Sequence, residues 1–200
     1  MHNRKVNNMP LTHTISIETI QTKVQQVIPS INKSNSNLAA VHILLIENSN
    51  FGVILTKRSV FVQNHKNEIS FPGGAFEKED ENIYQTALRE TCEEINLCKR
   101  LIRFLGSLEP VITYYGLEIY PFIGAISEFE FMQAAPNWEV EEIFTIPLEW
   151  FINPENLKTK IIDSGIGIQR KVSMYKTYHN HLVWGITAEI IRDFVSKLLN

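Results

Sequence analysis

The segment from Phe71 to Leu97, "FPGGAFEKEDENIYQTALRETCEEINL", limits what this chain can fold into more than any other part of it. It begins with the glycine pair Gly73 and Gly74 and continues into an amphipathic pattern that runs from Asn82 to about Leu97. The core-facing stripe of this pattern has a residue at every fourth position, at Ile83, Ala87, Thr91 and Ile95, with Leu88 beside it. The segment therefore predicts a glycine loop followed by a helix with one narrow face on a core.

Strand patterns surround this helix. "LAAVHILLIE" and "FGVILTKR" flank the turn "NSN" and predict a β-hairpin. Further strands are predicted in "LIRFLGSLEPVI", "LEIYPFIGAI", "IFTIPL", "LKTKIID" and "KVSMYKTYHNHLVW", and helices in "ISIETIQTKVQQVIPSI", ending near Pro29, and in "ITAEIIRDFVSKLL". The irregular alternation predicts an α/β (α+β) layered domain with a mixed sheet. We expect a polar tail and a helix over residues 1–36, and one domain over residues 37–200.

Composition excludes several classes of function. The formal net charge of -3 does not supply the broad basic surface that non-specific nucleic-acid binding needs. No apolar run reaches the roughly 18 residues of a membrane span, and the first residues lack the apolar region of a secretory signal. Cys92 and Cys98 have neither metal-ligand nor redox spacing. We therefore expect a cytoplasmic protein with reduced cysteines and with no nucleic-acid or membrane partner.

Three glutamates of the predicted helix share one face. Glu90, Glu93 and Glu94 stand at i, i+3 and i+4, where side chains are neighbours. Their charges repel one another unless water solvates them or a cation neutralises them. Mg²⁺ prefers such oxygen ligands and commonly bridges to phosphates. Arg89 could hold a neighbouring carboxylate through a bidentate pair. The two interpretations of this face are a solvated acidic helix and a divalent-cation site.

The longer pattern favours the cation site, because the segment resembles the Nudix box, the signature of the Nudix hydrolases. The matching positions are Gly74, the pair Arg89-Glu90, the pair Glu93-Glu94 and Leu97. One extra residue separates Gly74 from Arg89, so that either Asp80 or Glu81 fills the acidic loop position of the box. Thr91 replaces an aliphatic residue, and Asn96 replaces a glycine. Asparagine is the usual substitute for glycine in a left-handed helix end.

A second resemblance narrows the family. "ILTKRSVFVQNHKNEISFPGG" is similar to the motif that precedes the box in coenzyme A pyrophosphatases of the Nudix family. Gln63 and Asn67 stand where that subfamily has an arginine and a glycine. The segments "TYYGLEIYPFIG", "EVEEIFTIPLEWF" and "HLVWGITAEII" also look like the subfamily, so the resemblance runs from about Ala39 to the end of the chain.

The resemblance implies a fold and an activity. The implied fold is the Nudix-type α/β/α sandwich with a mixed β-sheet. The implied reaction is metal-dependent hydrolysis, with Mg²⁺ or Mn²⁺, of the pyrophosphate bond of coenzyme A or acyl-coenzyme A, giving 3′,5′-ADP and (acyl-)4′-phosphopantetheine. Alternatives are ADP-ribose, another nucleotide sugar or a nucleoside triphosphate as the substrate, or a Nudix-fold binding module without catalysis.

The resemblance also assigns roles to residues. The implied catalytic residues are Glu90, Glu93, Glu94 and Arg89. The implied metal ligands are Glu90, Glu94, Glu93, the backbone carbonyl of Gly74, and a distal glutamate that we place at Glu139 rather than Glu141 or Glu142. The implied substrate-binding residues are Arg58, Ser59, Phe71, Gly73 and Gly74. The identity of the general base stays open among the glutamates, and a homodimer stays open as the oligomeric state.

Overall fold

The structure, a computed structural model, describes residues 15–32, 34–35, 37–163 and 169–200. The predicted polar tail up to about residue 12 lies outside these ranges. The described helices are α1 (Ile17–Lys23), α2 (Ile83–Ile95), α3 (Glu128–Phe131), α4 (Leu148–Ile152) and α5 (Gly185–Leu199), with short 3-10 helices at Lys99–Leu101 and Pro154–Asn156. None of the helices in these ranges is long and apolar enough to cross a membrane.

A mixed sheet forms the centre of the molecule. Its strands are β1 (Leu38–Ile46), β2 (Gly52–Arg58), β3 (Ile69–Ser70), β4 (Gly73–Ala75), β5 (Arg103–Ser107), β6 (Val111–Ile112), β7 (Glu118–Ile126) and β8 (Val140–Pro147). Strand β1 runs parallel to β7 and antiparallel to β2 and β4. Strands β9 (Leu157–Asp163) and β10 (Gln169–Tyr175) form a separate antiparallel pair. The predicted hairpin and the predicted mixed sheet are both confirmed.

Strand β1 contributes side chains to two apolar cores, because successive side chains of a strand point to opposite faces of the sheet. Ile43 and Leu45 belong to one apolar cluster with Ile20 of α1 and Phe194 of α5. On the other face, the even-numbered residues of β1 pack with Ile83, Ala87, Leu88 and Ile95 of α2. Helices therefore cover both faces of the sheet, as the expected α/β/α sandwich requires.

Helix α1 is shorter than the apolar spacing predicts. It ends at Lys23, and Val24 is already extended. The next residue, Gln25, exchanges two backbone hydrogen bonds with Ser107, of 3.1 and 2.8 Å. The expectation that the helix reaches Pro29 is wrong because this pairing with the sheet replaces the next helical turn.

Asparagines define both ends of α2. The side chain of Asn82 accepts the backbone N–H groups of Tyr84 and Gln85, at 3.0 and 3.1 Å, which satisfies donors that the first turn leaves unpaired. At the other end Asn96 is left-handed, with φ 60°, and its N–H donates to Cys92. The substitution of the usual glycine by Asn96 therefore keeps the left-handed helix end.

Thr91 faces a buried histidine beneath α2. Its hydroxyl donates to the carbonyl of Ala87 at 2.6 Å and lies 3.3 Å from Nδ1 of His42 in β1. Burial lowers the pKa of His42 to about 3, so this side chain is neutral at pH 7. A threonine here in place of an aliphatic residue supplies the hydroxyl next to the histidine.

The two cysteines form a disulfide at the end of α2. Cys92 and Cys98 are six residues apart, with their Cα atoms 4.4 Å from each other. The left-handed Asn96 turns the chain back, which brings Cys98 against the last helical turn. Our expectation of two reduced cysteines is therefore wrong for this structure. Spacing along the chain does not reveal the pair, because the chain reversal brings them together.

Candidate active site

Two glutamates of α2, the buried Glu94 and the partly buried Glu90, meet the glycine backbone of β4. The N–H of Gly73 donates to Oε2 of Glu94 at 3.2 Å. Residue 73 must be glycine because its φ is +153° and a Cβ atom would collide with the carbonyl of Ala40. A Cβ atom on Gly74 would collide with the carboxylate of Glu90. The glycine pair therefore lets the backbone approach both carboxylates directly.

Burial perturbs these two carboxyl groups. The side chain of Glu94 is only 6% exposed, and burial raises its pKa to about 7, which the hydrogen bond from Gly73 only partly offsets. Burial also raises the pKa of Glu90, although Arg89 acts in the opposite direction. Both carboxylates thus lack full compensation for the water they have lost, which is the electrostatic setting that a bound cation relieves.

Arg89 connects the loop after β4 to the glutamates. Its Nε and Nη2 atoms donate to the two oxygens of Asp80, at 3.1 and 3.2 Å. Its Nη1 donates to Glu90 at 2.9 Å and to Glu93 at 3.3 Å, and Nη2 also donates to the carbonyl of Ala75 at 2.9 Å. Arg89 therefore fixes the position of Glu90, because the same guanidinium is itself held by Asp80.

Asp80, and not Glu81, is the loop acid that meets Arg89. Asp80 is buried and also accepts the hydroxyl of Thr86 at 2.8 Å and the N–H of Glu77 at 3.1 Å. Burial alone would raise the pKa of Asp80, but these hydrogen bonds outweigh it and hold the pKa below its usual value. Glu81 is exposed. The extra residue of the box therefore falls between Asp80 and the first turn of α2.

Glu93 is separated from the other two glutamates. Its side chain is 56% exposed, and it contacts the Nη1 atom of Arg89. Glu90 and Glu94, by contrast, are directed at the glycine backbone. The predicted face of three carboxylates thus consists of the buried Glu94, the partly buried Glu90 and the exposed Glu93.

Arg58 brings a second strand end to the site. Its Nη1 lies 3.7 Å from Oε1 of Glu94, and its Nη2 lies 3.6 Å from Oε2 of Glu139. Both distances are longer than a hydrogen bond. Glu141 and Glu142 pair elsewhere, with Lys57 at 2.6 Å and with His181 at 3.0 Å. Of the three candidate distal glutamates, Glu139 is the one that the structure brings next to Arg58.

Ser59 and Phe71 do not present their side chains to the carboxylates. The hydroxyl of Ser59 is buried and accepts the N–H of Phe61 at 3.2 Å, while its own N–H donates to the carbonyl of Glu139 at 2.7 Å. Phe71 is 2% exposed and packs in the cluster that joins the sheet to α5. Both residues therefore hold backbone in place near the site.

The two departures from the upstream motif differ in kind. Asn67 is left-handed, with φ 60°, and its N–H donates to the carbonyl of Arg58 at 3.1 Å. Glycine and asparagine are the residues that adopt this conformation most readily, so Asn67 keeps the turn. Gln63 is exposed and replaces a cation with a neutral amide, which removes charge from the loop.

Sequence reasoning missed Asn137. Its N–H donates to the carbonyl of Glu94 at 2.9 Å, and its side-chain oxygen accepts the N–H of Glu139 at 2.8 Å. Asn137 thereby joins the two acidic residues that flank Arg58. The signal in the sequence is the dipeptide Pro136-Asn137, two turn-forming residues shortly before a predicted strand.

The donor atoms of this site fit a hard divalent cation. The carboxylate of Glu90 lies against Gly74, that of Glu94 accepts the N–H of Gly73, and that of Glu139 lies 3.6 Å from Arg58. Oxygen is the ligand type that Mg²⁺ and Mn²⁺ prefer. In the part of the chain that the structure describes, no three His, Cys, Asp or Glu side chains converge into a complete metal site. Backbone, water and phosphate oxygens would have to supply the remaining ligands, as they commonly do for Mg²⁺.

Comparison with known proteins places this geometry in a family. The pattern of the NUDIX domain matches residues 36–161. An uncharacterized Nudix hydrolase NudL of Enterobacter sp. (strain 638) is 29% identical over 193 residues, which cover 94% of this chain and 97% of the relative. The protein of that name from Photorhabdus laumondii is 30% identical over 187 residues, covering 92% of this chain and 98% of the relative.

Two further comparisons agree. Nudix hydrolase 15, mitochondrial, of Arabidopsis thaliana is 36% identical over 160 residues; these cover 76% of this chain and 55% of that protein, so the match spans about half of its length. The crystal structure of a MutT/nudix family protein from Enterococcus faecalis superposes with a TM-score of 0.52 at 18% identity, covering 87% of this chain and 65% of the other. The structural likeness supports the fold alone.

Proposed function

Because this chain belongs to the NUDIX family and is a Nudix pyrophosphohydrolase, we propose that its substrate is coenzyme A or acyl-coenzyme A. Cleavage of the pyrophosphate bond would give 3′,5′-ADP and (acyl-)4′-phosphopantetheine. The main support for the proposed site is the contact of two glutamates with the glycine pair. Glu90 lies against Gly74, and Glu94 accepts the N–H of Gly73. Arg58 faces Glu94 from the end of β2.

The chemical problem is the negative charge of two adjacent phosphates, which repels an incoming nucleophile. When bound, Mg²⁺ or Mn²⁺ neutralises that charge and lowers the pKa of a coordinated water. Glu90, Glu94, Glu139 and the carbonyl of Gly74 would hold the cation, which is consistent with the burial and raised pKa of Glu90 and Glu94. This is the metal requirement that we propose for the enzyme.

The chain's own residues have distinct proposed roles. Arg89 orients Glu90 through its bonds to Asp80. Arg58 contacts a substrate phosphate, because the partners that the described residues offer its guanidinium are two long ion pairs, to Glu94 and Glu139. One glutamate accepts a proton from the attacking water, whose oxygen bonds to phosphorus while the bridging P–O bond breaks. The identity of that base stays open among Glu90, Glu93 and Glu94.

The choice of coenzyme A rests on the motif upstream of the box. Asn67 preserves the turn that glycine provides in the subfamily. Gln63 removes a cation that could bind the additional 3′-phosphate of coenzyme A. The alternatives are therefore ADP-ribose, another nucleotide sugar and a nucleoside triphosphate, none of which needs that contact.

A substrate panel tests the proposal. Purified protein is incubated with Mg²⁺ or Mn²⁺ and, separately, with coenzyme A, acetyl-coenzyme A, ADP-ribose, UDP-glucose and ATP, and the products are identified by mass spectrometry. We expect 3′,5′-ADP and 4′-phosphopantetheine from coenzyme A at the highest kcat/KM. Glu94→Gln should abolish turnover, whereas Glu81→Gln, at an exposed position, should keep it. Full turnover by Glu94→Gln would exclude the proposed site.

The proposed function also includes the domain organisation of the chain and its location in the cell. We propose a catalytic domain over residues 37–200, preceded by a tail and helix over residues 1–36, and a cytoplasmic enzyme that binds a small nucleotide. A homodimer is one possible oligomeric state, and light scattering on the purified protein would measure whether it forms. Co-purification with membranes or nucleic acid would contradict the proposed partners.

A further inference from the structure

An exposed tryptophan stands at the rim of the site. Trp138 is 67% exposed. It precedes Glu139, whose carboxylate lies 3.6 Å from Arg58. No ring contact to another aromatic side chain within the described ranges holds Trp138 in place. A large indole in water next to a charged site is thus available to a flat, partly apolar group.

The backbone around Trp138 is fixed to the site on both sides. Trp138 and Glu139 are the two central residues of a turn that the Val140 N–H to Asn137 carbonyl bond closes, at 3.3 Å. Asn137 bonds to the carbonyl of Glu94, and Glu139 accepts the N–H of Ser59 at 2.7 Å. The turn is therefore tied both to α2 and to the end of β2. Little backbone freedom remains to be lost when a ligand binds there.

A second exposed aromatic residue follows on the neighbouring loop. Phe61 is 81% exposed, and its N–H donates to the hydroxyl of Ser59, the residue that bonds to Glu139. Both aromatic residues thus stand within two positions of the Ser59–Glu139 bond. Arg58, next to this bond, supplies positive charge for a phosphate. The combination of a cation and adjacent aromatic surface matches a nucleotide, which joins phosphates to a flat base.

We infer that Trp138, with Phe61 on the neighbouring loop, forms the surface on which the nucleobase of the substrate stacks. This inference rests on the proposed function and adds to it a binding site for the base. It does not depend on which nucleotide derivative is hydrolysed, because every base has a face that can stack on an indole.

A comparison of two inhibitors tests the inference. ADP carries a base and two phosphates, and inorganic pyrophosphate carries the phosphates alone. Dissociation constants for both are measured by calorimetry with Mg²⁺ on the wild-type chain and on Trp138→Ala. We expect Trp138→Ala to bind ADP roughly 5- to 150-fold more weakly, since base stacking on an aromatic side chain contributes about 1–3 kcal/mol, and to bind pyrophosphate as the wild type does.

Three further variants make the test specific. Trp138→Phe should restore ADP binding to within about threefold, because phenylalanine keeps a stacking face. Phe61→Ala should weaken ADP binding less than Trp138→Ala and leave pyrophosphate binding unchanged. Phe129→Ala is the matched control, since Phe129 is 74% exposed and follows Glu128, which bonds to the β1–β2 turn at the other end of β2 from Arg58. It should change neither constant.

The outcomes separate this inference from the proposed function. Equal weakening of ADP and pyrophosphate in Trp138→Ala would overturn it, because the residue would then act on the phosphate site through Glu139. Unchanged ADP binding in that variant would also overturn it, while leaving the hydrolase intact. Wild-type protein that hydrolyses no member of the panel and binds neither inhibitor would overturn both.

Discussion

The carboxylate of Glu90 rests on the backbone of Gly74, with no space for a Cβ atom between them. Gly74→Ala should therefore displace Glu90 while leaving the core unchanged. We expect kcat to fall about 100-fold, because a displacement of about 1 Å at a reacting centre can have that effect. Turnover and thermal unfolding, measured on the same preparation, check this prediction.

Gly52→Ala provides the matched control for that change. Gly52 is also a strand glycine, but a Cβ atom there would meet Thr145 at 3.4 Å, an ordinary van der Waals contact. It should retain turnover. If Gly74→Ala proves as active as Gly52→Ala, the contact with Glu90 is unimportant for catalysis.

The pairing of the buried Asp80 with the partly buried Arg89 predicts a pH-dependent contribution to stability. Asp80→Asn should lower the free energy of unfolding at pH 7 by about 1–3 kcal/mol, the cost of weakening a buried, charge-assisted hydrogen-bond network. The pKa of Asp80 is lowered in the folded chain relative to its usual value of 3.8. The stabilisation is therefore complete above that value and is lost as the pH falls through the folded pKa.

Urea unfolding of the wild type and of Asp80→Asn at pH 7 and at pH 2.5 measures this effect. The difference between the two proteins should shrink at the lower pH, which lies below the usual pKa of 3.8, because the unfolded chain then binds a proton that the folded carboxylate resists. Glu81→Gln should lower the free energy of unfolding by less than about 0.5 kcal/mol at either pH, as is usual for an exposed position. A larger loss for Glu81→Gln than for Asp80→Asn would mean that Glu81 is the loop acid in solution.

Arg58 neutralises two of the proposed metal ligands, Glu94 and Glu139. Arg58→Met should therefore bind Mn²⁺ more tightly, on the order of tenfold, because a nearby positive charge no longer opposes the cation. Its kcat/KM should nevertheless fall, since the phosphate contact is lost. Electron paramagnetic resonance of free Mn²⁺ measures the affinity independently of turnover.

Lys57→Met separates this effect from a general change of charge. Lys57 is the preceding residue, but it pairs with Glu141 at 2.6 Å and not with the proposed ligands. Its replacement should leave Mn²⁺ affinity nearly unchanged. Equal tightening in both variants would show that Arg58 acts only through long-range charge.

The disulfide between Cys92 and Cys98 predicts that reductant lowers stability. The bridge closes a short loop. Because it restricts the unfolded chain, it should raise the free energy of unfolding by about 2 kcal/mol. Dithiothreitol should therefore lower the Tm of the wild type and not that of the Cys92→Ser/Cys98→Ser double variant. Titration of thiols in unfolded protein without reductant should find none, and two reactive thiols there would contradict the bridge.

Local signals in the sequence were enough to predict α2 and its ends. Asn82 and Asn96 act through their own side chains and backbone, so a single sequence carries that information. The amphipathic stripe likewise predicted which face of α2 packs on the sheet. The β-hairpin was predictable for the same reason, because adjacent strands and a short turn are neighbours in sequence.

Contacts between distant segments were not predictable from these signals. The end of α1 depends on the pairing of Gln25 with Ser107, and the disulfide depends on the chain reversal at Asn96. The choice of Asp80 over Glu81 depends on which carboxylate is buried against Arg89. Burial and long-range pairing emerge only when the whole chain is packed.

The extra residue between Asp80 and α2 bears on how such sites diverge among related chains. Loop closure becomes only slightly less favourable as a loop lengthens, so one more residue beside the exposed Glu81 leaves the Asp80–Arg89 pair intact. The length of this connection is therefore free to drift over evolutionary time, while the partners of Arg89 are not. Homologous sites of this kind should be aligned by which groups bond to each other, even where that requires a gap in the alignment.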